Sequence, residues 1–307
     1  MGSSGGAAGP AGLPSEGRVR PANFEERLKL MQVPGSVRAQ LAALLERPDH
    51  EIDLARAALL VAAEDDPALD PEAALATLRA WGDRLASAVP TECNSLQRLA
   101  RLRNFMFEEL GFRGDVQGYY SPENSLLHSV MERRLGIPLT LGVVFLELGW
   151  RLGLDLQGVG FPSHFLVRLA GEAEDLLLDA YDHGGSVHEE DCRRMLLASS
   201  AGMIEYHEGM IASISRREMV GRLLHNLKLA WLREGNAERA LSATDRLLLV
   251  HPGSPPEIRD RGLLLYRLDD YREALEALEF YLELRPDGMD REEVEQHVGA
   301  LRMMLAA

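Results

Sequence analysis

Between Gly136 and Trp150 the chain reads Gly-Ile-Pro-Leu-Thr-Leu-Gly-Val-Val-Phe-Leu-Glu-Leu-Gly-Trp, and this run constrains the fold more than any other. Gly136 suits a left-handed cap that ends one helix. Pro138 suits the first turn of the next, where its missing N–H would have no partner in any case. Two helices therefore meet at a tight corner. From Leu139 to Trp150 almost every position is apolar, on all sides of the helix, and Glu147 is the only charge. A helix of that kind is buried rather than amphipathic, so the rest of the chain must pack around it.

At 307 residues there is material for two modest domains, each with a core. A net charge of -15 argues against a nucleic-acid partner, which needs a concentrated basic face. Cys93 and Cys192 are the only cysteines, which points away from a disulfide framework and toward a reducing cytoplasm. The N-terminus lacks the charged start and apolar core of a secretory signal. The longest apolar run, Ile137 to Leu146, is too short to span a bilayer, so no membrane role is expected.

Residues 1–22 are rich in Gly, Ala, Ser and Pro and predict a disordered tail. Helical spacing begins at Phe24, Leu28 and Met31 and continues through Val37–Leu45 and Ile52–Ala63. Glu72–Val89 and Ser95–Leu110 then read as amphipathic helices. This N-terminal region forms a helical layer over the central helix. Gly111–Tyr120 reads as a loop or irregular strand. Asn124 or Ser125 is expected to cap a helix over Leu126–Leu135. The runs Val159–Leu169 and Leu176–Leu178 read as strands, Asp182–Gly185 as a turn, and Ser186–Ala198 as a helix.

His164 lies in the first of those strand runs and Asp179 closes the second, so their side chains are expected to meet across a small antiparallel sheet. A His oriented by an Asp is the base-and-acid half of a nucleophilic triad. A buried helix, then a His, then an Asp is the order found in transglutaminase-like, papain-like cysteine enzymes. Their Cys stands at the start of the buried helix, where the helix dipole lowers a thiol pKa. Here Pro138, Leu139 and Thr140 occupy that place. Thr140 is the one hydroxyl available there, and a Thr without an adjacent base is a poor nucleophile. Its plainer role is a hydrogen bond within the first helical turn.

From about Gly221 the chain repeats. Ala240-Leu241 recurs as Ala274-Leu275, Leu248 as Leu282 and Pro252 as Pro286, each after 34 residues, the tetratricopeptide period. Lys228 departs from the pattern in the small-residue slot, and Arg261 stands where Leu is usual. The register puts Arg222, His225, Leu229 and Leu232, then Arg259, Leu263 and Tyr266, on the groove face. Two repeats are too few to stand alone, so they must lean on the preceding domain or on the final helix, Arg291–Leu305.

The chain resembles a bacterial family of the SirB-one type, a transglutaminase-like domain followed by tetratricopeptide repeats. The resemblance is carried by Asn124-Ser125, Glu132-Arg133-Arg134, Gly136-Ile137-Pro138, Arg151-Leu152-Gly153-Leu154, Gly158-Val159-Gly160, Pro162, His164-Phe165 and Asp179. It implies an α+β fold: a helical N-terminal layer, a papain-like core with a small antiparallel sheet, and C-terminal helical repeats. The divisions expected are residues 1–22, 23–215 and 216–307.

Asn124 and Ser125 are candidates to line the cleft beside His164. Glu147, a carboxylate on an apolar helix, needs a partner, and Arg133 and Arg134 are the candidates for an ion pair with it. His183, His188 and Cys192 match no standard zinc spacing, so neither a metal nor another cofactor is expected. Three functions follow. The first is a non-catalytic interaction or regulatory protein on a degenerate transglutaminase-like core, with a protein or peptide partner at the repeats. The alternative is a hydrolase or acyltransferase using His164 and Asp179 with an unconventional nucleophile. A small-ligand binder in the cleft is a third.

Overall fold

The computed structural model describes residues 35–171 and 175–306, so the expectations for the 1–22 tail and for Phe24, Leu28 and Met31 lie outside the described residues. Four helices form the N-terminal layer: α1 (Val37–Leu45), α2 (Leu54–Asp65), α3 (Pro71–Ser87) and α4 (Ser95–Arg103), the last continuing through a wider π-helical turn at Asn104–Glu109. Each start is capped by a short polar side chain. Ser36, Asp53, Asp70 and Asn94 accept from first-turn N–H groups that have no partner within the helix.

α5 (Leu127–Arg133) turns into the central helix α6 (Pro138–Arg151) through a two-residue strand β2 (Leu135–Gly136), paired in parallel with β1 (Arg113–Gly114). The left-handed residue of this corner is Arg134 (φ 61°), not Gly136. Gly136 is required for a different reason. A Cβ there would stand 2.8 Å from Thr140 Oγ1 and 2.9 Å from Val130 Cγ1. α6 is buried from Pro138 through Leu146, as its composition demands. Gly142 and Gly149 let the sheet approach, since Cβ atoms there would collide with Phe165 and Leu156.

The sheet is an antiparallel meander of β3 (Leu156–Val159), β4 (Leu166–Leu169), β5 (Leu176–Asp179) and β6 (Gly185–Val187). Two expectations are corrected here. The run Val159–Leu169 is not one strand but two, parted by a turn at Phe161–Phe165 in which Ser163 is left-handed (φ 58°). Gly185–Val187 pairs with β5, so the next helix, α7 (Glu189–Ser200), starts later than Ser186. Alternation sends Leu156, Val167, Leu169 and Leu178 toward α6, and Val159, Leu166 and Val187 toward α7.

The repeat helices are α8 (Arg216–Arg233), α9 (Ala237–Val250), α10 (Pro255–Arg267), α11 (Tyr271–Leu284) and α12 (Arg291–Ala306). The first repeat shares its core with the N-terminal layer, since Val220, Leu223, Leu224 and Leu227 pack in the same cluster as Leu41 and Leu59. The second packs with Val294, Val298 and Leu301 of α12. Both departures from the repeat pattern are buried charges with partners. Lys228 Nζ lies 2.7 Å from Glu257 and 2.9 Å from Asp260, and Arg261 bonds Asp245 at 2.9 Å and Glu273 at 2.8 Å.

Candidate functional site

The side chains of His164 and Asp179 do meet, with Nε2 and Oδ2 2.9 Å apart. They meet between a turn and a strand end rather than across paired strands. His164 lies within the Phe161–Phe165 turn, where its N–H donates to Phe161 O at 3.1 Å. Asp179 ends β5 opposite Gly185, and its other oxygen, Oδ1, accepts from the Tyr181 N–H at 2.8 Å. One oxygen thus orients the carboxylate and leaves the other for the imidazole. The Tyr181 ring stands edge-on to the His164 ring, centroids 6.2 Å apart, and to Tyr119 at 6.1 Å. Burial raises the pKa of both phenols, with nearby tyrosines and carboxylates adding to the shift, so they stay neutral O–H groups.

A small cavity of about 90 Å³ opens beside the His164 ring. Its floor is the start of α6: Ile137, Pro138 and Leu139. Where a transglutaminase-like thiol would stand, the wall is hydrocarbon. Thr140 does not reach this cavity. Its hydroxyl donates to Asn124 O at 2.8 Å and accepts from the Ile137 N–H at 3.2 Å, which caps α6 from within. The aliphatic hydroxyl that does line the cavity is Ser163, and among the described residues no hydrogen bond joins it to the His164 ring. Cys192 is on α7, buried against Val159, Phe161 and Leu166 on the far face of the sheet. Its pKa is raised by burial and then by Asp191 and Glu189.

Asn124 is wholly buried and neither caps α5 nor lines the cavity. Its amide donates to Asp115 Oδ2 at 3.1 Å and to Gly118 O at 2.7 Å, and its oxygen accepts from Arg133. Asp115 in turn accepts from the Gly118 N–H at 2.7 Å. Burial opposes the charge of Asp115, but these hydrogen bonds and Arg133 outweigh it and lower the pKa. The network fixes the loop that carries Tyr119 and Tyr120. Ser125 lines a second depression, next to the first, together with Tyr119 and Tyr120.

The expected ion pair of Glu147 with Arg133 or Arg134 is not formed. Arg133 serves Asn124 and Glu123, and the Arg134 guanidinium lies 4.2 Å above the Trp81 ring. Glu147 Oε1 instead accepts from the Ala55 N–H at 3.0 Å, in the first turn of α2. Burial and the nearby Asp53 push its pKa to about 7 against the opposing pull of that N–H, Arg216 and Arg79. Of the groove positions, Arg222 and Leu229 line the two depressions beside His164. His225 is exposed on α8, and partial desolvation, then the charge of Lys228, lower its pKa. Arg259 pairs with Asp260 and Asp290, while Leu263 and Tyr266 pack with the second repeat and α12. Tyr119, Tyr120, Asn226 and Arg233 were not singled out by sequence. The only signal for them is an aromatic pair after Gly118 and a stripe on α8 continued from Arg222.

A buried helix under an antiparallel meander, a His–Asp pair at its N-terminal end and helical hairpins behind it define a transglutaminase-like protein with tetratricopeptide repeats. Family profiles agree: the transglutaminase-like superfamily matches residues 72–225, and a tetratricopeptide repeat profile matches residues 227–299. A UPF0162 protein of Xylella fastidiosa (strain Temecula1) is 32% identical over 253 residues, 81% of this chain and 90% of the relative. One from Pseudomonas aeruginosa is 31% identical over 248 residues, again 81% and 90%. Protein SirB1 of Salmonella typhimurium is 29% identical over 211 residues, 67% and 78%. The chain belongs to this SirB1/UPF0162 family. Among the described residues no helix is long and apolar enough to cross a membrane.

Proposed function

We propose that this chain is a non-catalytic regulatory protein of the cytoplasm that works by binding another protein, on a transglutaminase-like core that has lost its chemistry. The observation that carries the reading is the composition of the cavity at His164. Pro138 and Leu139 line it at the start of α6, and neither cysteine does. The hydroxyl that does line it, Ser163, makes no hydrogen bond to the His164 ring among the described residues, and a base without a bonded nucleophile has nothing to activate. The His164–Asp179 pair then acts as a structural tie between the Phe161–Phe165 turn and the end of β5. The alternative, a hydrolase or acyltransferase, is supported by the intact geometry of that pair. Incubating the protein with an activated ester, and with a glutamine peptide plus a primary amine, separates the two. Turnover equal to that of His164→Ala is expected, and turnover that His164→Ala abolishes would replace the reading with an enzyme.

A further inference from the structure

The cavity at His164 and the depression beside it share Tyr119, Ile137 and Asn226, so together they form one groove. One wall is a single stripe of α8. Arg222, Asn226, Leu229, Ala230 and Arg233 recur at spacings of four, three, one and three, the period of a helix face. The facing wall is the Tyr119–Tyr120 pair with Ser121 and Ser125. Leu229 is 43% exposed here, so the groove floor offers apolar surface.

The charge of this groove is opposite to that of the chain. The net charge is -15, yet no Asp or Glu lines either half of the groove, whereas Arg222 and Arg233 both do. Among the described residues neither arginine has a carboxylate partner. Arg222 spends its Nη groups on backbone carbonyls at Gly160, Phe161 and His164. Arg233 stacks on the Tyr120 ring, 3.6 Å from its centroid. Burial of Arg222 without a counter-charge lowers its pKa, which marks an uncompensated cation.

We infer that this groove binds an extended acidic segment of a partner protein, with one carboxylate at Arg222, one at Arg233, and apolar side chains over Leu229 and Tyr120 between them. The inference rests on the non-catalytic reading above and names its partner. The two arginines are eleven helical steps apart, roughly 16 Å at the α-helical rise. An extended chain covers that distance in about five residues. The two acidic side chains therefore stand about five positions apart in the partner. A nucleic acid fits less well, because two cations on a strongly acidic protein do not offset a polyanion. Residues 1–34 of this chain are unsuited as occupant, with four basic side chains (Arg18, Arg20, Arg27, Lys29) against three acidic ones (Glu16, Glu25, Glu26).

Selection of a displayed random hexapeptide library on the full chain tests this. Recovered peptides should carry Asp or Glu at both ends with apolar residues between, and should bind less tightly at high salt. Arg233→Gln, at an exposed rim, should keep the melting temperature and weaken those peptides roughly tenfold or more. Arg222→Gln should weaken them too, but does not serve alone because it also frees the Phe161–Phe165 turn. Peptides without acidic enrichment, or equal binding by Arg233→Gln, overturn the inference. So does tighter binding of a single-stranded oligoribonucleotide at the same residues, or a dimer in sedimentation that Arg233→Gln dissolves. No binding together with no turnover removes this inference alone. Cleavage or acyl transfer on a bound peptide that depends on His164 removes the non-catalytic reading instead.

Discussion

The guanidinium of Arg222 donates to the carbonyl oxygen of His164 at 2.7 Å, so a repeat helix holds the turn that carries the imidazole. The same side chain also donates to Gly160 O and Phe161 O, both at 2.9 Å. Arg222→Ala leaves three carbonyls short of a donor and is expected to cost roughly 2–4 kcal/mol of stability. Hydrogen exchange should rise at residues 160–165 before it rises elsewhere. Unchanged protection of that turn in the variant would show that the sheet, not α8, holds it.

Glu147 gives the fold a pH dependence. A carboxyl with a pKa of about 7 when folded and 4.5 ordinarily binds its proton more tightly in the native state. Its stabilising contribution is complete below the unfolded pKa and is lost as pH rises through 7. Glu147→Gln keeps an acceptor for the Ala55 N–H and removes the buried charge. It should stabilise the protein by roughly 2–3 kcal/mol at pH 8 and hardly at all at pH 4.5. Urea unfolding at the two pH values measures this, and an equal effect at both would contradict it.

The first repeat is anchored to α2 by a buried ion pair. Arg246 is fully buried, and its Nη2 lies 2.8 Å from Asp65 Oδ2, while Trp231 Nε1 donates to Oδ1 at 2.9 Å. Asp65→Ala strands the Arg246 charge beside only the more distant Glu64, and is expected to cost about 3–5 kcal/mol. Asp65→Asn, which keeps an acceptor, should cost less. For the same reason an isolated 216–307 fragment should melt without a sharp transition. A cooperative transition in that fragment would mean that the repeats do not need α2.

Local chemistry made part of this legible in advance. The almost wholly apolar run of α6 and the 34-residue recurrence depend on neighbours in sequence, and both are present in the fold. His164 and Asp179 were legible as residue types, but the placement of His164 on a turn before β4 was not. The run from Val159 to Leu169 is largely apolar, but Gly160, Pro162 and the left-handed Ser163 divide it into two strands. Glu147 shows the limit most plainly. Arg133 and Arg134, at the end of the helix before the corner, are the expected partners, yet its partner is a backbone N–H 92 positions away, which no periodicity reports. The groove walls were missed for a similar reason, since Tyr119 and Arg233 come together only when α8 docks.

Cys192 provides the last check, because it is the thiol that follows the His–Asp pair in the chain. Side chains alternate across the sheet, and α7 covers the face opposite α6, so the thiol packs with Val159, Phe161 and Leu166 away from the His164 cavity. Burial raises its pKa, and the carboxylates of Asp191 and Glu189 raise it further. With Cys93 replaced by Ser, iodoacetamide labelling should therefore be slow, with a pH midpoint above the ~8.5 of an ordinary thiol. His164→Ala should leave that midpoint where it is. A midpoint well below 8.5 that disappears in His164→Ala would require the two side chains to be coupled, which needs α7 to leave its face of the sheet, and would return the chain to the cysteine enzymes.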